Sequence, residues 1–295
     1  MPGVQGRIDH MFFDPGRSRL FVAALGNNTV EVVDTNGAKR IHTISGLHQP
    51  QGVLYLADVN RLYVANGEDG TLKMFDGTSY QLRKSVSLGS NADNVRFDPE
   101  QKEIYVGYGA GALAILNEDG TKIGDIKLDA HPESFQLEKN GSRIFVNLPG
   151  SRKIAVVDRK TKTVVSSWST GGAFLNYPMA LDEPDHRLFI VCRLPARLVV
   201  LNTETGAKVA KVNTVGDSDD VFYDRSTKRL YASGGAGSVA VVEQQSPDRY
   251  SEATTVTTRK GARTSFLSPE SHTLFVAARQ QDSEPAAIYV YGVRQ

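Results

Sequence analysis

The sequence of 295 residues contains a single cysteine, Cys192. One thiol cannot form an internal disulfide, and it excludes metal and haem motifs that are built on cysteine pairs. No apolar run approaches the roughly 18 residues that a bilayer-spanning helix needs, so the sequence predicts no membrane span. The nucleophile motif Gly-x-Ser-x-Gly is also missing, which argues against a serine hydrolase of the kind that uses this motif.

The charge is almost balanced, with 34 Lys and Arg residues against 33 Asp and Glu residues. Proteins that bind nucleic acid or a membrane surface carry a basic excess, so we expect neither partner. No segment shows a sustained period of 3.6 residues, which predicts a chain with almost no helix.

A short apolar and aromatic segment occurs seven times along the chain. Examples are "RLFVAAL" from Arg19, "RLYVANG" from Arg61 and "RLFIVCR" from Arg187. The first apolar residues of the seven segments, called anchors here, are spaced 40 to 44 residues apart and are Leu20, Leu62, Ile104, Ile144, Leu188, Leu230 and Leu274. A period of this length with several short strands per repeat is typical of β-propeller blades.

Each repeat has the pattern of four strands joined by polar turns. A short first strand ends at an acidic residue in five repeats, and the anchor strand, a third strand such as "TVEVVD" and an outer strand follow. The sequence therefore predicts an all-β fold, a single seven-bladed β-propeller domain over residues 1–295 with four-stranded antiparallel blades. Glycines follow the anchor strand at Gly26, Gly67, Gly109 and Gly235, where we expect sharp turns with positive φ.

The strings "RLYVANG", "RLFVAAL" and "TVEVVD" resemble the YVTN-type repeat of YncE-like bacterial seven-bladed propellers, over residues 7–291. Members of that group are mostly periplasmic, secreted or surface proteins with poorly defined ligands. The resemblance thus implies an exported protein, with a cytoplasmic location as the alternative.

The seventh repeat has three strands, ending with "AIYVYGV" at 287–293, and no recognisable fourth. One interpretation is that a segment upstream of Met1 supplies the missing strand, and that an export signal has been removed from the chain. The other is a ring closed by a three-stranded last blade.

Polar residues recur eleven residues before the anchors, and their neighbours are polar as well. In a propeller the loops before the first strands and after the second strands open on one face around the axis, where function concentrates. The ligand-binding residues that this register predicts are Arg7, Asp9, His10, Gln51, Asp93, Asn94, Glu133, Tyr177, Arg193, Asp219 and Arg263.

Converging carboxylates repel one another unless a cation, an arginine or a raised pKa relieves them. A Ca²⁺ or Mg²⁺ ion is the cofactor that would suit a site of Asp9, Asp93, Asn94, Glu133 and Asp219. The alternative is a wet, polar channel whose carboxylates cap backbone N–H groups. His10, His131 and Glu133 are the candidate catalytic groups, although nothing in the spacing of the histidines makes them converge.

Two basic residues of later repeats, Arg193 and Arg263, fall in the same set of loops. They either orient an anionic ligand or pair with neighbouring carboxylates. Two longer segments, 170–178 and 278–287, lie on this loop face, where insertions often mark the binding face of a repeat protein. A third, 243–253, falls on the opposite face, and we expect it to be a plain surface loop.

The sequence favours a non-enzymatic binding or scaffold protein, a monomer whose partner at the axial face is a small molecule, a protein or a peptide. The alternative function is a metal-dependent propeller enzyme, a lactonase- or esterase-like hydrolase or a lyase, with a divalent cation at the mouth of the axis.

Overall fold

The computed structural model describes residues 1–293, which form antiparallel β-sheets and only three single-turn 3-10 helices. The strands of the first three sheets are β1 (Met11–Asp14), β2 (Arg19–Ala24), β3 (Thr29–Asp34), β4 (Lys39–Ile44), β5 (Pro50–Leu56), β6 (Arg61–Asn66), β7 (Thr71–Asp76), β8 (Leu82–Ser87), β9 (Val95–Asp98), β10 (Glu103–Tyr108), β11 (Ala112–Asn117) and β12 (Lys122–Lys127). The predicted near-absence of helix is confirmed for the described residues.

The four later sheets continue the same strand order. Their strands are β13 (Phe135–Leu137), β14 (Arg143–Leu148), β15 (Lys153–Asp158), β16 (Thr163–Ser169), β17 (Phe174–Asp182), β18 (Arg187–Leu194), β19 (Ala196–Asn202), β20 (Lys208–Asn213), β21 (Ser218–Asp224), β22 (Arg229–Gly234), β23 (Ser238–Ser246), β24 (Arg249–Thr257), β25 (Ser265–Ser268), β26 (Thr273–Ala278) and β27 (Ala287–Gly292). Six sheets have four strands and the seventh has three, each in simple sequential order. The fold is a seven-bladed β-propeller, as predicted. Among the described residues, no helix has the length and apolarity that crossing a bilayer requires.

Contacts group the chain into two compact units. Unit 1 comprises residues 1–131 and 279–288, and unit 2 comprises residues 132–278 and 289–293. Unit 1 contains the first three sheets, and unit 2 contains the fourth to sixth sheets with β25 and β26. The single domain over 1–295 stays a prediction.

The predicted anchors lie in the second strand of every sheet, and all seven side chains are buried. Within each unit, apolar faces of neighbouring sheets pack against each other around the anchors. In unit 2, for example, Phe189 and Val191 of β18 lie in one cluster with Val221 of β21 and Leu230 of β22. Because a single sheet leaves one apolar face uncovered, this stacking explains why the strand pattern is repeated.

The acidic residue at the end of the first strand holds the arginine that begins the second. Asp14 accepts two hydrogen bonds through Oδ2, from Arg19 Nε at 3.2 Å and Nη2 at 2.8 Å, and both residues are buried. The remaining guanidinium nitrogen of Arg19 donates to the Gly77 carbonyl at 2.6 Å, in the turn after β7. An ion pair inside one sheet therefore also links that sheet to the next.

The segment 243–253 is not the surface loop that the sequence predicted. It extends β23 and β24 into a longer hairpin with a two-residue turn. The Tyr250 ring packs on Phe189 at 5.7 Å and Gln244 is buried. The prediction failed because alternating polar residues in a long hairpin have the composition of a loop.

Candidate functional site

The loops that precede a first strand and those that follow a second strand lie at the same end of each sheet. In four repeats the glycine after the second strand donates its N–H to the loop before the first. The bonds are Gly26 to Arg7 at 2.8 Å, Gly67 to Gln49 at 2.8 Å, Gly109 to Ser90 at 2.8 Å and Gly235 to Asp217 at 2.9 Å. We call these paired segments the rim loops of their unit.

The positive φ predicted for these glycines is wrong at three of the four positions. Only Gly109 has a positive φ, of 63°. At Gly26 a Cβ atom would lie 2.6 Å from the Arg7 nitrogen, and at Gly235 it would lie 2.1 Å from Oδ2 of Asp217. Most of these glycines are therefore required because the paired rim loops approach closely, not because of their own backbone conformation.

The rim loops of unit 1 bring together Asp9, His10, Asp93, Asn94 and His131, which we call the Asp–His cluster. The Nδ2 atom of Asn94 lies 3.3 Å from His10 Nε2 and 3.3 Å from Oδ1 of Asp93. His131 Nε2 lies 3.9 Å from Oδ2 of Asp93. These residues precede the first strands of three different sheets, so only the tertiary structure places them in contact.

The surroundings of the Asp9 carboxyl group change its pKa. Burial raises its pKa, and the negative charge of Asp93 raises it further, whereas His10 and Arg7 act in the opposite direction. Arg7 donates from Nη2 to Asp9 Oδ2 at 2.6 Å, but about half of the arginine side chain, 45%, is exposed. The cluster therefore holds two nearly inaccessible carboxylates beside one solvated arginine, an arrangement that attracts further positive charge.

The hydrogen bonds of His131 determine which of its ring nitrogens carries the proton. Nδ1 lies 2.6 Å from the Gly109 carbonyl oxygen, which can only accept, so Nδ1 bears the hydrogen. In the neutral ring Nε2 then accepts a hydrogen bond from the Asn91 amide nitrogen at 3.2 Å. A histidine whose far N–H is held by a carbonyl has the orientation that metal-ligating histidines adopt.

Asn94 supplies a further oxygen. Its side chain is 2% exposed, and its Oδ1 atom is buried without a hydrogen-bond partner among residues 1–293. A buried amide oxygen without a donor costs about 1–3 kcal/mol, and a bound cation or a ligand N–H would relieve that cost.

Gln51 belongs to the same rim but not to the cluster. Its Nε2 atom donates to Asn91 Oδ1 at 3.1 Å, and Asn91 in turn contacts His131. Gln51 thus supports the histidine indirectly. Asn91 has the same register position as His131, just before the residues predicted from the sequence, which is the signal by which it could have been found.

The rim loops of unit 2 contain a different arrangement, a network of alternating charges. Arg263 Nη2 lies 2.8 Å from Asp217 Oδ2 and its Nε lies 3.7 Å from Asp219. Arg193 pairs with Asp219, lies 3.4 Å from Asp217 and stacks over the ring of Tyr177, with the guanidinium carbon 3.9 Å from the ring centroid. Of the two interpretations given above, the pairing of each arginine with carboxylates describes both Arg193 and Arg263.

Of the five metal ligands predicted from the sequence, Asp9, Asp93 and Asn94 lie together in unit 1. Glu133 and Asp219 are residues of unit 2. Glu133 donates its backbone N–H to the Asn147 carbonyl at 3.0 Å, and Asp219 is held by arginines. The structure adds two histidines to the oxygen ligands of unit 1. The sequence named both as candidate catalytic groups and His10 also as a ligand-binding residue, but neither as a metal ligand.

Comparison with known proteins supports the fold alone. No protein-family model matches the chain, and no curated protein matches it in sequence. Among solved structures, hydrazine synthase of Kuenenia stuttgartiensis is similar with a TM-score of 0.81 and 18% identity, over 99% of this chain and 99% of that one. A chain of the mitotic checkpoint complex is similar with a TM-score of 0.79 and 14% identity, over 94% of this chain and 86% of the other. Both are seven-bladed propellers with this architecture. Sequence identities this low support a shared fold and do not support a shared function.

Proposed function

We propose that this protein is a non-catalytic binding propeller of the YVTN, YncE-like kind, and that its ligand site is the Asp–His cluster of unit 1. The repeat strings and the sevenfold architecture support membership of that group. The main support for the site is the buried pair Asp9 and Asp93, together with His131 Nε2, which lies 3.9 Å from Oδ2 of Asp93. The ligand is a cation, because the donors are carboxylate oxygens, an amide oxygen and imidazole nitrogens.

The donor set fits a divalent transition-metal ion better than the Ca²⁺ or Mg²⁺ expected from the sequence. Ca²⁺ and Mg²⁺ prefer oxygen ligands, whereas imidazole suits Zn²⁺, and the carboxylate oxygens of the cluster also suit Mn²⁺. Two ligand atoms on one such ion lie about 3–4 Å apart at bond lengths near 2.1 Å. The 3.9 Å between His131 Nε2 and Asp93 Oδ2 falls in this range.

The experiment is a metal titration of the chelator-treated protein by calorimetry, with Zn²⁺, Mn²⁺, Ca²⁺ and Mg²⁺ in turn. We expect one equivalent of Zn²⁺ or Mn²⁺ to bind, with a loss of at least about tenfold in affinity in Asp93→Asn. Asp58→Asn, which changes an exposed acid outside the rim, is the matched control. Absence of binding for all four ions, or equal binding by both variants, contradicts the proposed site.

A metal-dependent hydrolase or lyase is the second candidate, and the position of His10 favours it. A bound divalent ion supplies Lewis acidity for the carbonyl group of an ester or lactone. His10 lies at the edge of the cluster, next to Asn94, where it is placed to accept a proton from an attacking water. Turnover of a panel of chromogenic esters and lactones that requires Zn²⁺ or Mn²⁺ and is lost in His10→Gln supports this candidate; no turnover by the loaded protein rejects it.

The proposal includes export from a bacterial cell to the periplasm or beyond. The resemblance of the repeats to YVTN-type proteins is its support, and binding as a monomer is part of the same proposal. Fractionation of the source cells with an antibody against this chain tests the location, and light scattering tests the oligomeric state. Recovery in the cytoplasmic fraction would contradict export.

A further inference from the structure

The seventh sheet presents an uncovered third strand. In unit 2 the third strands β15, β19 and β23 each bury at least four residues, because a fourth strand covers them. No residue of β27 is buried, and Val290 in its middle is 63% exposed. Among the described residues, β27 is the last strand of its sheet, so its outer backbone groups form a free edge.

A cavity of about 430 Å³ lies beside this strand, entirely within unit 2. Its lining includes Tyr291 and Val293, together with Ala253 and Val256 of β24. Tyr231 and Arg229 of β22 also line it. Most of the lining residues are apolar, and Arg229 adds a positively charged guanidinium group.

The equivalent space between the fifth and sixth sheets is filled. Tyr250, at the start of the fourth strand of the sixth sheet, packs edge-on against Phe189 of the fifth sheet at 5.7 Å. Arg187 donates from Nε to the Pro247 carbonyl at 2.8 Å and to Asp248 Oδ1 at 3.0 Å. The contact between the fifth and sixth sheets therefore uses an aromatic ring, Tyr250, and an acidic residue two positions before it, Asp248.

The repeat register predicts an equivalent contact at the cavity between the sixth and seventh sheets. Phe189 and Tyr231 each directly follow an anchor, and Arg187 and Arg229 each directly precede one. By the same register, the aromatic ring that would contact Tyr231 and the acidic residue that would contact Arg229 would lie on a fourth strand added to the seventh sheet.

A similar contact occurs in unit 1, between the first and second sheets. Tyr80, in the turn between β7 and β8, packs on Phe21 at 6.4 Å, and its hydroxyl accepts a hydrogen bond from Arg19 at 2.8 Å. Phe21 directly follows an anchor and Arg19 directly precedes it. An aromatic side chain from the next sheet thus fills this space in both units.

We propose that the groove between β24 and β27 binds an extended peptide segment, which adds to β27 as an antiparallel fourth strand. The peptide carries an aromatic residue that enters the cavity against Tyr231 and, two residues before it, an acidic residue that pairs with Arg229. The groove continues the interface between the sixth and seventh sheets that already buries Leu274 and Val276. Charge complementarity at Arg229 and the repeat register both define this occupant.

The probe is a labelled ten-residue peptide with the sequence of residues 248–257, "DRYSEATTVT", which contains the acid and the aromatic residue at the required spacing. Fluorescence anisotropy should show saturable binding to the whole protein. Replacing the tyrosine of the peptide by alanine should weaken binding at least about tenfold. Hydrogen exchange of the amides at 287–292 should slow when the peptide is bound, because new ladder bonds protect them.

Two substitutions in the protein test the location without disturbing the core. Ala253→Trp fills the cavity from an exposed position and should weaken peptide binding at least about tenfold. Thr255→Trp, exposed on the same strand but not lining the cavity, is the matched control and should leave binding within about twofold. Circular dichroism and Tm establish that both variants are folded.

Three results would overturn the proposal. One is no saturable binding, and another is binding unaffected both by Ala253→Trp and by loss of the peptide tyrosine. The third is a dimer in solution that is broken by Val290→Lys, since a second copy would then be the occupant of the edge. The groove and the Asp–His cluster have no residue in common, so failure of the metal titration does not bear on peptide binding, and failure of peptide binding does not bear on the metal site.

Discussion

His131 and Asp93 come from loops that precede different sheets, yet Nε2 of the histidine lies 3.9 Å from Oδ2 of the aspartate. The ring is held in place by its other nitrogen, which donates to the Gly109 carbonyl at 2.6 Å. The pair is therefore oriented before any ligand arrives, which lowers the cost of ordering the site on binding.

The first prediction concerns this orientation. His131→Gln should weaken Zn²⁺ or Mn²⁺ binding by about 10- to 100-fold, because a ligand nitrogen is lost. His48→Gln changes an exposed histidine of another rim loop and should leave the affinity within about twofold. Calorimetric titration of the two variants and the wild type measures the difference, and equal affinities would remove His131 from the site.

The second prediction follows from the raised pKa of Asp9. A carboxyl group whose folded pKa exceeds its unfolded value of 3.8 contributes stability at low pH, and that contribution is lost as the pH rises through the folded value. Asp9→Asn should therefore be similar to the wild type below about pH 4 and gain stability relative to it at higher pH, in metal-free protein.

The measurement for Asp9 is Tm against pH for both proteins, repeated with saturating Zn²⁺ or Mn²⁺. A bound cation should reverse the order at neutral pH, because it stabilises the charged carboxylate. A difference between variant and wild type that does not change with pH would contradict the assignment.

The third prediction concerns Cys192, which is fully buried in β18. Burial raises the pKa of its thiol to about 12, so the reactive thiolate is scarce at neutral pH. Iodoacetamide should label the native protein more than about a hundredfold more slowly than the protein in guanidinium chloride. Mass spectrometry follows the reaction, and rapid labelling of native protein would show that the fifth sheet opens readily.

The fourth prediction compares two ion pairs of unit 1. Arg19→Met leaves the buried Asp14 carboxylate without its arginine and should lower the free energy of unfolding by about 3–5 kcal/mol. Arg83→Met breaks an exposed pair, 3.0 Å from Asp76, and should leave the free energy of unfolding almost unchanged. Urea unfolding of the two variants gives both values, and a loss in Arg83→Met as large as that in Arg19→Met would show that burial is not the cause.

Sequence reasoning was most accurate where side-chain identity is imposed by packing. The anchors Leu20 to Leu274 were located because a buried second strand requires the same apolar side chains in every repeat. It was less accurate for glycine, since the sequence does not distinguish a residue with positive φ, such as Gly109, from one in close contact, such as Gly26. It also misjudged 243–253, because a polar hairpin and a polar loop have similar compositions.

The candidate site could be predicted only in part. The register identified Asp9, Asp93 and Asn94, but it gave Asp219 the same weight. The structure shows that Asp219 pairs with Arg193 and Arg263, whereas Asp93 contacts His131. These partners differ because each loop follows its own path, which the strand period does not specify.

The sequence by itself determined the number of blades and the strands within them, because burial of alternate side chains at a fixed period leaves one architecture. Only the tertiary structure decided which loop side chains meet, since those contacts join residues far apart in the chain. It also showed the open edge at β27, because an uncovered strand is recognised by what lies next to it and not by its own residues.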